Sequence, residues 1–87
     1  MEIEGRIGAR VVVVVEPEGF SVPYENWEEF HNGCFRLPFV TEVAGPEING
    51  AWAITFKDAP KSISDEMIIR WCKKELRKHL KSNEAGT

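Results

Sequence analysis

Eighty-seven residues, 43% of them apolar and 29% charged, suffice for one folded domain and exclude both a disordered chain and a multidomain one. A net charge of −3 argues against general nucleic-acid packaging, and two cysteines are too few for a disulfide framework. Residues 1–60 carry four Lys/Arg against ten Asp/Glu, whereas residues 61–87 carry seven against four. Such a split between the two parts of a chain points to a charged partner.

No run of about 18 apolar residues exists, so no spanning helix is expected. The opening Met-Glu-Ile-Glu lacks the basic-then-apolar layout of a signal peptide, and both cysteines are expected as reduced thiols in a cytoplasmic setting.

From Glu2 to Glu16 the odd positions (Ile3, Ile7, Ala9, Val11, Val13, Val15) are apolar and the even ones mostly polar, the period of a half-buried strand. Val12 and Val14 make its second half apolar on both faces and place it centrally. Gly5 and Gly8 either bend the strand or split it into two pairing segments. Glu16-Pro17-Glu18-Gly19 ends it. Residues 23–33 then read as a short helix, with Pro23 in the first turn, three Glu near its positive end and Gly33 as its stop. Tyr24, Trp27 and His31 share one face of it, with Phe30 alongside.

Phe35, Leu37, Phe39, Thr41 and Val43 alternate as a second strand, in which Pro38 demands an edge position or a bulge. After the turn-rich Gly45–Gly50, the residues Trp52, Ile54 and Phe56 give a third strand, so residues 34–57 form a hairpin. Ser62 or Ser64 caps a final helix. On that helix Ile69, Cys72, Leu76 and Leu80 form an apolar stripe flanked by Ile68 and Trp71. The expected fold is α+β: a small, mainly antiparallel sheet of about three strands in β-α-β-β-α order, with the C-terminal amphipathic helix packed on one face. Residues 1–81 make the domain and 82–87 a frayed tail.

Four side chains have ligand chemistry: His31, Cys34, Cys72 and His79. Cys72 and His79 lie two helical turns apart, about 10 Å in rise, which is too far to share one zinc ion. No metal or other cofactor is expected, and Cys34 with His31 lacks the orienting group and oxyanion site that a nucleophile needs. No phosphate-loop spacing occurs among the seven glycines. An enzyme is therefore not expected.

Two surfaces remain. Tyr24, Trp27 and Phe30 interleaved with Glu25, Glu28 and Glu29 make an acidic–aromatic segment suited to anchoring a protein partner with a basic surface. On this view the chain is a small regulator or inhibitor, a class that includes phage and mobile-element proteins. Trp27→Ala is then expected to weaken binding by about 2 kcal/mol or more without unfolding the domain. The alternative is nucleic-acid binding through Arg70, Lys73, Lys74, Arg77, Lys78 and Lys81, opposite the apolar stripe of the last helix. Pairing of two copies through surplus apolar strand face is compatible with either.

Overall fold

The computed structural model describes residues 2–6 and 8–83; Ile7 and residues 84–87, which the sequence reading assigned to a strand and to the tail, lie outside the described residues. The architecture is α+β, with an antiparallel sheet and a C-terminal helix packed on it. Of the two outcomes that Gly5 and Gly8 allow, the stretch takes the split and folds back on itself. Strand β1 (Glu2–Arg6) pairs with β2 (Ala9–Val15) across a turn at Gly8, whose φ of +78° favours glycine. Splitting that stretch gives the sheet four strands, in the order β1, β2, β5 (Ala51–Lys57) and β4 (Val40–Ala44).

The expected hairpin is present as β4 (Val40–Ala44) and β5 (Ala51–Lys57). Strand β4 begins later than the alternation suggests. Phe35 closes the preceding helix, and Phe39 takes a left-handed φ of 71° while its carbonyl accepts from the Lys57 amide at 2.9 Å. That break stops an extended run through residues 35–39. Pro38 lies in the turn before β4 and so occupies no place in the ladder; β4 itself is an edge strand, and its register slips between Val40 and Glu42.

Apolar alternation along β2 marked the odd positions as the inward set, and the sheet turns the other way. Val12 and Val14 are fully buried, paired with Ile54 and Trp52 of β5, while Val15 is 48% exposed. Both sides of this strand are apolar, so the choice falls to the partner strand, whose bulky Trp52, Ile54 and Phe56 face the helices and whose Ala51 and Ala53 do not pair with that set.

Residues 24–26 form a 3-10 turn after Pro23, and α1 (Trp27–Phe35) follows. Gly33 does not end this helix. It lies buried within it, where a Cβ would overlap the Glu75 carboxylate of the other helix. Helix α2 (Asp65–His79) begins at Ser64, whose Oγ accepts from the Met67 amide at 3.2 Å. Its inward face is Ile68, Cys72, Glu75 and Leu76, with Ile69, Trp71 and Leu80 partly buried beside it. The stripe is therefore turned slightly from the one expected, because Ile68 rather than Ile69 reaches the centre.

Helix α1 packs on β4, α2 on β2, and the two helices on each other. The core joins Val12, Val14, Val22, Phe30, Cys34, Trp52, Ile54, Phe56, Ile68, Cys72 and Leu76. Two short strands, β3 (Phe20–Ser21) and β6 (Lys81–Ser82), pair outside the main sheet. The beginning of the expected frayed tail is thus tied down: Ser82 pairs with Phe20, and the Asn83 amide donates to Gly19 O at 2.9 Å.

Candidate functional site

Pro23 fixes the turn that carries Tyr24 to the surface just before α1 begins. Three residues on, Trp27 opens that helix and is held from below. Its indole N–H donates to Val22 O at 2.9 Å, and its ring meets the buried Trp52 edge-on, with centroids 6.3 Å apart. Trp52 is in turn fixed by donating to Glu16 Oε2, which also accepts from the Val22 amide at 2.9 Å. Tyr24 leans on Trp27 with ring centroids 4.7 Å apart, yet is 78% exposed. A ladder of rings thus runs from the core outward, its last member presented to solvent on a fixed base.

Tyr24, Glu25, Trp27, Glu28 and His31 line an open cleft of about 420 Å³. Here the i, i+3, i+7 spacing of Tyr24, Trp27 and His31 does place them together. His31 stands edge-on to Trp52, with centroids 5.4 Å apart, and its buried Nε2 has no hydrogen-bond partner among the described residues. An orphaned ring nitrogen beside an open cleft is a polar group that an incoming donor or acceptor would satisfy. Helical spacing alone places His31 on this face with Tyr24 and Trp27, whereas its orphaned nitrogen follows from the packing against Trp52.

Two members of the expected surface stand elsewhere. Phe30 is fully buried against Trp52 and cannot anchor a partner; being alongside the exposed face, it points inward between the sheet and α2. Glu29 is exposed but lines a different groove, between the helices, with Asn32, Arg36, Lys78 and His79. The acids at the aromatic cleft are Glu25 and Glu28.

Cys34 and Cys72 are buried free thiols. Burial, with the Glu75 charge adding to it, pushes the Cys34 thiol up to about 12. Burial and proximity to Cys34 do the same for Cys72, again to about 12. Both are protonated core residues at neutral pH, so Cys34 is no thiolate nucleophile for His31 to serve. Among the described residues no three His, Cys, Asp or Glu side chains gather where they could hold a metal ion.

A further cleft of about 450 Å³ lies where β2 and β5 meet the start of α2, lined in part by Arg10, Phe56, Lys61 and Ser64. Its guanidinium is already engaged. Arg10 donates to Ile63 O at 2.7 Å, to Ala59 O and Pro60 O at 3.4 and 3.3 Å, and to Asp65 Oδ1 at 3.0 Å. Arg10 therefore fastens the loop that leads into α2.

The six cations on and just beyond α2, Arg70, Lys73, Lys74, Arg77, Lys78 and Lys81, are exposed. Lys78 is paired at 3.2 Å with Glu75, whose other oxygen lies 3.3 Å from His79 Nε2. No helix among the described residues is long and apolar enough to cross a membrane. Comparison of the chain with protein-family models, with curated proteins and with solved structures finds no match.

Proposed function

We propose that this chain is a small non-enzymatic binding protein, a cytoplasmic regulator or inhibitor that grips a basic protein partner through the cleft of Tyr24, Trp27, Glu25 and Glu28. The observation that carries this reading is Tyr24: a large ring 78% exposed, seated on Trp27, which is itself pinned to the core. Exposed aromatic groups held in one position lose little entropy on binding and are frequent hot spots. Glu25 and Glu28 at the same cleft supply long-range attraction for a cationic surface.

The test is affinity capture with the wild-type chain and Tyr24→Ala as parallel baits, followed by calorimetry on whatever the wild type retains. Tyr24→Ala should fold normally and lose about 2 kcal/mol of binding. A partner held equally by both baits would refute this use of the cleft.

Nucleic-acid binding is the second reading, favoured by the exposure of all six cations on and just beyond α2. Fluorescence anisotropy with single- and double-stranded oligonucleotides decides it. Binding that falls steeply between low and physiological salt supports it, and no binding at low salt removes it.

A further inference from the structure

The two flanks of α2 differ. One packs against α1, where Glu75 fits over Gly33. The other has no helical neighbour among the described residues, and there two grooves meet. The first, about 310 Å³, is lined by Ile69, Arg70, Lys73 and Arg77 with the single acid Glu66. The second, about 180 Å³, continues it over Leu76 and Leu80 to Val15 and Pro17, sharing Lys73 and Arg77. Together they make one trough with an apolar floor and a cationic rim.

We propose that this trough is a second binding surface, and that its occupant is an acidic amphipathic segment of a partner protein. Charge selects the occupant's polar side. Arg70, Lys73 and Arg77 are exposed, none forms an ion pair among the described residues, and only Glu66 opposes them. The floor selects its other side. Ile69 and Leu80 are partly exposed and Val15 is 48% exposed, with the buried Leu76 beneath, so an occupant with apolar groups along one face covers these three while its Asp or Glu side chains meet the rim. Eleven steps along α2 and its C-cap lead from Ile69 to Leu80, about 16 Å, which matches three turns of a docked helix or about five extended residues.

A nucleic-acid backbone fits this place less well. Phosphates gain nothing from an apolar floor, and they would sooner follow the outermost cations, including Lys74 and Lys81, which line neither groove. The trough is also distinct from the Tyr24 cleft and opposite to it in charge, so the two surfaces take partners of opposite sign.

The test is a nuclear magnetic resonance titration of the isotope-labelled full chain with three probes. They are a synthetic amphipathic helical peptide with Leu on one face and Glu on the other, a short single-stranded oligonucleotide, and vesicles containing phosphatidylserine. The peptide should shift the amides of Ile69, Lys73, Arg77 and Leu80 in a saturable manner. The exposed double variant Lys73→Glu/Arg77→Glu should weaken it about tenfold or more, whereas Lys74→Glu/Lys81→Glu should leave it within about threefold. No saturable shift by about 1 mM peptide overturns the proposal. So does tighter binding of the oligonucleotide or the vesicles, or equal sensitivity to the two double variants.

Discussion

Gly33→Ala tests how closely α1 and α2 are fitted. In an ordinary helix interior this change stabilises by about 1 kcal/mol, because alanine loses less backbone freedom on folding. Here a Cβ would overlap Glu75 Oε1 and stand 2.7 Å from its Cδ. Carbon atoms rest about 3.5–4.0 Å apart, so the carboxylate must recede by about 1 Å. It has little room to do so, since the Glu75 side chain is only 12% exposed and its oxygens are held by His79 at 3.3 Å and Lys78 at 3.2 Å. The Lys78 pair is half in solvent and contributes little. Overpacking of this kind costs about 1–3 kcal/mol, so the net expectation is a loss of about 1 kcal/mol, or a Tm lower by about 4–8 °C. Urea denaturation of Gly33→Ala, Glu75→Ala and the double variant isolates the coupling. With Glu75 truncated the obstruction is gone, and Gly33→Ala should then stabilise by about 1 kcal/mol. Stabilisation by Gly33→Ala in the otherwise unaltered chain would refute the close approach.

Trp27→Ala should now disturb the fold as well as binding, because the ring is half-buried on Trp52 and donates to Val22 O; a loss of about 2 kcal/mol in urea is expected, with Tyr24→Ala within about 0.5. Equal stability of the two variants would place Trp27 outside the core. Arg10→Met should cost about 2 kcal/mol and speed tryptic cleavage after Lys61, and Arg10→Lys should not restore the wild-type rate, since an ammonium lacks the planar fork that reaches four acceptors. Both thiols are raised from 9.0 to about 12 in the folded state, so they leave stability unaffected below about pH 8. From pH 9 upward the unfolded chain releases their protons and the folded one does not, and stability falls by about 1.4 kcal/mol per unit for each thiol until the folded state also ionises near pH 12. Cys34→Ala should flatten that fall, as read from urea midpoints across the range.

Elements that declare themselves by local chemistry were legible. A serine cap before α2, the basic outer face of that helix and the β4–β5 hairpin each follow from one or a few neighbouring residues. What escaped depends on distant partners. The inward face of β2 could not be read from β2, where valines occupy both sides; pairing with Trp52 and Ile54 decides it. Gly33 has the appearance of a helix stop until Glu75 is brought over it from 42 residues away. Phe39 in a left-handed conformation breaks an alternation that sequence alone carries through without interruption.

The same division governs the candidate sites. Tyr24 and Trp27 share a face by spacing alone, but which ring is anchor and which is pedestal follows from Val22 and Trp52, one close in the chain and one far. Phe30, three residues beyond Trp27, carries similar chemistry and is wholly enclosed. The α2 cations looked uniform because helical spacing does not say which flank a neighbour will cover. Once α1 occupies the Glu75 side, Lys78 is drawn into a pair there, while Arg70, Lys73 and Arg77 are left above Ile69, Leu76 and Leu80. Chain topology therefore turns one basic stripe into two surfaces of different chemistry, a solvated outer face and an apolar trough with a charged rim. A partner that reads only charge should respond to all six cations alike, and one that also buries apolar groups should respond to the trough side alone.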